Sequence, residues 1–158
     1  MRQTIYLGAD HAGFESKKLI KEFLMKKKYN VIDCGNTKFD KNDDYPDFAY
    51  IVAKNVANTK HAVGILFCGS AEGMSIAANK VRKTRAVVVH TIIEAKLTKI
   101  HNNANILCIS GWHTSVSLAK KIIITWLKTP FSNIKRHKRR IQKIIHIENN
   151  ELMSRATR

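Results

Sequence analysis

The sequence predicts a doubly wound α/β fold, because short apolar strands recur along the chain and each is followed by a segment with helical periodicity. The strands also lack the clean polar and apolar alternation of a sheet with one wet face, so both faces are expected to be covered. Parallel strands need crossover connections, and the helices between them supply these.

The first unit is a buried strand from Thr4 to Leu7 and a helix from Gly13 to Lys27, with Phe14, Leu19, Phe23 and Leu24 at helical spacings. The alternation then repeats as strand Asn30 to Asp33 and helix Asp47 to Asn58, strand Val63 to Phe67 and helix Glu72 to Asn79, and strand Ala86 to Val89 and helix Ile92 to Ile100. A fifth strand, Ile106 to Ile109, precedes a helix from about Ser115 to Leu127. Thr129-Pro130 ends that helix, since proline lacks an amide hydrogen and disfavours helical conformation in the residue before it. A sixth helix starts near Asn133, and its stripe of Ile134, Ile141, Ile144 and Ile145 calls for a packing partner. The expected architecture is a single-domain, Rossmann-like, three-layer fold with a five-stranded parallel sheet flanked by helices, plus a C-terminal helix. Residues 1–148 form the domain, and residues 149–158, polar and without a period, form a tail expected to fray. The one long irregular connection runs from Cys34 to Tyr45, a length that in a compact domain often marks function.

A chain of 158 residues with 44% hydrophobic content buries one substantial core. Its longest apolar runs, such as Ala104 to Ile109, fall far short of the roughly 20 residues of a membrane-spanning helix. The N-terminus enters an apolar strand directly, with no secretory signal visible, so the expected location is the cytoplasm. Three cysteines without C-x-x-C spacing argue against a disulfide framework or a zinc knuckle. The formal net charge of +16 attracts phosphates, whether on sugars, nucleic acids or lipids. Much of it is scattered lysine that reads as solvated helix faces, but the run Lys135-Arg136-His137-Lys138-Arg139-Arg140 stands apart.

Ligand sites of open parallel sheets lie beyond the carboxyl ends of the strands. Two polar segments follow strands, Gly8-Ala9-Asp10-His11-Ala12-Gly13 and Cys68-Gly69-Ser70-Ala71-Glu72-Gly73, and two more lie at or in helices, His101-Asn102-Asn103-Ala104-Asn105 and Arg136-His137-x-x-Arg140. The Cys68 to Gly73 turn suits an oxyanion or phosphate cradle, because small residues let amides converge at a helix N-terminus; an ordinary tight turn reads the same way. A helix N-terminus lowers a thiol pKa from about 8.5 towards neutrality, which makes Cys68 a base or nucleophile; inert burial is the bland alternative, and the one adopted for Cys34 and Cys108. Asp10-His11 also reads as an N-cap and a surface imidazole. His101-Asn102-Asn103 equally reads as a polar helix end. Arg136 and Arg140, four apart on one helical face, suit a grip on one phosphate, and otherwise form a solvated basic face.

Taken in order and spacing, these segments resemble the ribose-5-phosphate isomerase B family, which is related to isomerases of allose and galactose 6-phosphates. The resemblance covers Thr4 to about Ile147 through Gly8 to Phe14, Asp44-Tyr45-Pro46, Cys68-Gly69-Ser70, Gly73 to Lys80, Arg85-Ala86, His101-Asn102 with Asn105, and Arg136-His137 with Arg140. It implies metal-free, cofactor-free aldose-ketose isomerisation of ribose 5-phosphate and ribulose 5-phosphate through an enediolate, a step of the pentose phosphate pathway. Cys68 would be the base, and Ser70 with the amides of Gly69 to Gly73 would stabilise the oxyanion. His101, with Asp10, would open the sugar ring, while His11, Arg136 and Arg140 hold the phosphate, Tyr45 lines the sugar site and Asn102 bonds a substrate oxygen.

The resemblance also implies a homodimer, alone or within a tetramer, with the site built across the interface and the stripe of the sixth helix packed on the partner. The alternatives are a six-carbon sugar phosphate as substrate, or a nucleic-acid-binding protein using Lys135 to Arg140 as a basic arm. No nucleic-acid-binding motif with interleaved aromatics accompanies that run, so nucleic acid is not the expected partner. A thiol redox enzyme would need a resolving cysteine near Cys68, and none is there. Two positions depart from the family pattern. Ala71 replaces a glycine, which is harmless only without a positive φ, and Trp112 stands where the family commonly has arginine.

Overall fold

The computed structural model describes the backbone of residues 3–156 and the side chains of residues 3–150. Its elements are β1 (Thr4–Ala9), a 3-10 turn (His11–Gly13), α1 (Phe14–Lys26), β2 (Asn30–Asp33), α2 (Tyr45–Asn58), β3 (Val63–Cys68) and α3 (Glu72–Ala78). They continue as β4 (Ala86–Val88), α4 (Ile92–Asn102), β5 (Ile106–Ser110), α5 (Val116–Lys128) and α6 (Lys135–Ala156). All strands pair in parallel in the order β2-β1-β3-β5-β4, so β1, β3 and β5 are central and β2 and β4 are edges.

The two-residue side-chain period of a strand divides the apolar residues between two cores. Ile5, Leu7, Ile65, Phe67, Leu107 and Ile109 face α1, α4 and α5 through Ile20, Leu24, Ala95, Ile122 and Trp126. Leu66, Cys68, Ile106 and Cys108 face α2 and α3 through Phe48, Val52, Val56, Met74 and Ala78. Both faces of the central strands are therefore dry, as their unbroken apolar sequences require, while edge strand β2 stays half-exposed. The three-layer expectation holds.

Differences from the expected boundaries have local causes. α2 begins at Tyr45, before the expected Asp47, because Pro46 fits the first turn of a helix where no amide bond is lost. α4 starts on a capping box between Thr91 and Glu94 and runs to Asn102, which draws His101 and Asn102 into its last turn. α6 begins at Lys135 because Asn133 is left-handed, with φ of 58°. Its backbone then stays helical through residue 148 to Ala156, so the polar tail begins as a change of composition within a helix. Residues 157 and 158 of that tail lie outside the described residues. Ile134, Ile144 and Ile145 are 43%, 48% and 41% exposed, so the stripe of α6 is largely uncovered in one copy of the chain.

Ala71 has φ of 80° and ψ of −17°, the left-handed conformation that an alanine tolerates poorly. The family's glycine at this place is thus explained. Ala71→Gly is expected to stabilise the fold by about 0.5–1 kcal/mol, the relieved strain exceeding the entropy a glycine adds to the unfolded chain. A higher urea midpoint at unchanged slope checks this.

Candidate active site

Cys68 is the last residue of β3, opposite Ser110 at the end of β5, and its side chain is 5% exposed. The Ala71 amide donates to Cys68 Sγ at 3.2 Å, which the left-handed turn at Ala71 makes possible. The loop after β5 pins this turn: Ser110 Oγ donates to the Gly69 carbonyl at 2.6 Å, the Trp112 amide donates to it at 3.2 Å, and the Gly111 amide donates to the Cys68 carbonyl at 2.8 Å. A Cβ on Gly69 would lie 2.5 Å from the Trp112 indole, and one on Gly73 would lie 2.6 Å from the Tyr45 ring. Both glycines are therefore needed for aromatic side chains to close over the turn. Trp112 itself is 68% exposed, so it is a rim and not a core residue.

The helix field was expected to lower the Cys68 pKa, and the structure corrects this. Burial, the largest influence, pushes the thiol up from its ordinary value; the amides of Met74 and Ala71 pull it back, and the Asp10 and Glu72 carboxylates push it further up. In one copy of the chain Cys68 is a thiol at neutral pH. Cys108 is fully buried beside it and pushed up much further by desolvation, in keeping with its reading as inert.

Asp10 and His11 stand at the carboxyl end of β1, next to β3. The Asp10 carboxylate accepts the Gly13 amide at 3.0 Å, the N-cap role, and burial raises its pKa. Its amide donates to the Phe67 carbonyl at 3.3 Å, which fixes it beside the Cys68 strand. His11 is bound twice by Asp43, through its amide and its Nδ1, each at 2.8 Å from Oδ1. The hydrogen bond that His11 donates to the Asp43 carboxylate is the main cause that raises the His11 pKa. Asp43 is in turn held by Asn36 Nδ2 at 3.0 Å, and the Asn36 carbonyl accepts from the buried Lys17 Nζ at 2.8 Å. Asp43 was not among the residues singled out from the sequence; its place in the long Cys34 to Tyr45 connection was the only signal.

Ser70 is half-buried in the same turn, and its hydroxyl bond is the main reason the Glu72 carboxyl is held below its ordinary pKa. The structure thus brings Asp10, His11, Tyr45, Cys68, Gly69, Ser70 and Gly73 to one end of the sheet.

His101, Asn102, Arg136 and Arg140 lie elsewhere, and this corrects the expectation of one cluster at the carboxyl ends. α4 ends at Asn102, and Asn105 leads into the start of β5, its carbonyl accepting the amide of Gly64 near the start of β3. Five-residue β5 then separates that amino end from Ser110 and Cys68 by roughly 13 Å at the usual rise of a strand. At the amino end, the His101 and His137 rings meet with centroids 4.6 Å apart. His137 is buried and accepts or donates at 2.7 Å with Ser132 Oγ through Nδ1, so the basic run is not a uniform wet face. Burial, then the neighbouring His101, lowers the His137 pKa. Arg136 and Arg140 remain exposed, one turn apart.

Among the described residues, no group of three or more His, Cys, Asp or Glu side chains is placed to hold a metal ion, and no helix is long and apolar enough to cross a membrane.

Residues 5–144 match the model of the Ribose/Galactose Isomerase family. The chain is 44% identical over 149 residues to the probable ribose-5-phosphate isomerase B of Mycoplasma genitalium, covering 94% of this chain and 97% of that protein. It is 39% identical over 144 residues to ribose-5-phosphate isomerase B of Mycobacterium tuberculosis, covering 91% and 89%. The fold superposes on the crystal structure of the Mycoplasma genitalium ribose-5-phosphate isomerase B with bound ribulose-5-phosphate at a TM-score of 0.90 and 44% identity, over 94% of this chain and 98% of that one. The type B ribose 5-phosphate isomerase of Trypanosoma cruzi gives a TM-score of 0.91 at 40% identity, over 96% and 99%. With the fold, the Cys68 turn and these relatives in agreement over nearly the whole length, the chain belongs to the ribose/galactose isomerase family.

Proposed function

We propose that this enzyme interconverts ribose 5-phosphate and ribulose 5-phosphate, with Cys68 as the base and each site shared between two copies of the chain. The observation that carries the reading is Cys68 at the carboxyl end of the central strand, its sulfur on an amide of a turn that two aromatic rings cover. The relatives named for this reaction supply the substrate. In the open-chain aldose, the Cys68 thiolate takes the proton from carbon 2, and the electron pair moves onto the carbonyl oxygen at carbon 1 as an enediolate. Return of that proton to carbon 1 and transfer of a hydroxyl proton from oxygen 2 to oxygen 1 give the ketose. The amides between Gly69 and Gly73, with the Ser70 hydroxyl, meet the developing oxyanion. His101, with Asp10, moves the proton that opens the furanose ring, and Asn102 and Tyr45 position the sugar. His11, Arg136 and Arg140 take the phosphate.

The two separated groups support the homodimer of this reading. His101, Asn102, Arg136 and Arg140 do not reach Cys68 within one chain, and the α6 stripe beside the arginines is uncovered. A partner that covers the stripe brings its own cations to the Cys68 turn. Opposite charge beside a thiol favours the thiolate, so assembly reverses the upward shift of the isolated chain. Arg136→Gln with Arg140→Gln is therefore expected to move the pH midpoint of Cys68 alkylation upward, followed by mass spectrometry of the modified peptide; an unmoved midpoint contradicts the shared site.

Asp43 tunes the phosphate group from behind. By raising the His11 pKa it keeps the imidazolium present above its ordinary value of 6.5, where substrate phosphate is a dianion. Asp43→Asn is expected to raise KM for ribose 5-phosphate several-fold near pH 7.5 and to have little effect below pH 6, where His11 is protonated in either protein. The KM profile against pH distinguishes this from a general loss of structure.

A further inference from the structure

A cavity of about 440 Å³ opens at the amino ends of the strands, away from the Cys68 turn. Gln3 precedes β1, Arg85 precedes β4 and Asn105 precedes β5; these three line it together with His61, Lys83 and Lys99. Its size falls in the range of about 300–1,000 Å³ usual for small-molecule sites. None of its lining residues is acidic. Glu148 of α6 accepts the Lys83 amide at 2.9 Å and acts on the Arg85 charge without lining the cavity.

The buried cation here is unpaired. Lys99 is 9% exposed, and among the described residues no carboxylate pairs with it. Its Nζ instead lies 3.9 Å from the centre of the buried Trp126 ring. Arg85 is occupied on one side only, its Nε and Nη2 donating to the Asn103 carbonyl at 3.0 and 2.9 Å. Burial, then the nearby Arg85 charge, lowers the Lys99 pKa to about 8. A cation so placed is destabilised until an anion joins it. Three residues around the cavity, His61, Lys83 and Asn103, also hold left-handed backbone, with φ of 63°, 66° and 47°. Such conformations gather where the surrounding structure fixes a binding geometry.

We propose that this cavity binds a small phosphate-bearing metabolite, its phosphate held by Lys99, Arg85 and Lys83. A phosphate dianion answers three cations better than a carboxylate, and the guanidinium fork and lysine ammonium both match its oxygens. Gln3 lines the rest of the cavity, while Asn105 fixes two of the cation-bearing residues, its Oδ1 accepting the Arg85 amide and its Nδ2 donating to the Lys83 carbonyl, each at 2.7 Å. The site lies behind the helix turn that carries His101, and Arg85 Nε also donates to the Asn102 carbonyl at 3.2 Å.

The test uses Trp112→Phe, which leaves Trp126 as the sole tryptophan and therefore a reporter next to Lys99. Its emission is followed during titration with inorganic phosphate, and separately with glycerol 3-phosphate, against sodium chloride at matched ionic strength. The expected result is a saturable change with phosphate and none with chloride. Adding Lys99→Met is expected to weaken binding at least about 10-fold, since a charge-assisted contact is lost. Lys83→Gln on the rim, which leaves the packing against Trp126 intact, is expected to weaken it about three-fold, and Arg140→Ala to leave it unchanged. Tighter binding of the ester assigns the cavity to phosphate monoesters, and equal binding assigns it to free phosphate. No saturable change, a titration unaltered by both lysine substitutions, or a signal abolished by Arg140→Ala overturns the proposal.

Discussion

Replacing Cys68 with alanine is expected to lower kcat about 10³-fold or more while the chain folds normally, because the base is removed and no other side chain at the turn replaces it. The substitution removes one sulfur from a tightly packed position, a structural cost of about 1 kcal/mol. KM is expected to change little, since the phosphate contacts belong to other residues. Cys68→Ser keeps a hydroxyl of far higher pKa and is expected to be nearly as inactive. A Cys68→Ala enzyme with more than one tenth of the parent kcat would remove the thiol from the mechanism. The buried, apolar-facing side of Cys68 and the contact with Ala71 show why the same residue also serves packing.

The second large effect concerns assembly. Cys68→Ala spoils the group at the carboxyl end of the sheet, and Arg136→Gln with Arg140→Gln spoils the group at the other end. Loss of two charge-assisted phosphate contacts is worth about 3 kcal/mol or more, so the arginine variant is expected to lose at least about 100-fold in kcat/KM. A heterodimer of the two, isolated by two different tags, contains one site with both defects and one site with none. It is expected to recover about half the parent activity, which follows from the two-fold arrangement alone. If each site were built within one chain, both sites of that heterodimer would be defective and no activity would return.

The alternation of strand and helix was legible because it depends on short-range pattern. Val63 to Phe67 and Ile106 to Ile109 are apolar on both faces, and that requires a sheet covered on two sides, whereas Asn30 to Asp33, polar at both ends, is a half-exposed edge. Helix starts were displaced where a proline or a left-handed residue decided them, as at Pro46 and Asn133, whereas α4 starts at Ile92 as expected, on the capping box of Thr91 with Glu94. The small and polar residues of the Cys68 turn were readable as candidates, but the charge state of Cys68 was not. It results from competition between desolvation and two amides, and burial in the tertiary structure sets the balance. Asp43 escaped notice for a similar reason, since its pairing with His11 spans 32 residues and rests on the hold of Lys17 on the loop. The separation of His101 from Cys68 depends on the direction of α4 relative to the sheet, which motif spacing alone does not contain.

The most direct test is to incubate the purified chain with ribose 5-phosphate in deuterium oxide containing EDTA and to follow the products by NMR. The account predicts formation of ribulose 5-phosphate despite chelation, solvent deuterium at carbon 2 of the recovered ribose 5-phosphate, and neither result with Cys68→Ala. Absence of ketose from the parent protein, or ketose formed at an undiminished rate by Cys68→Ala, would contradict it.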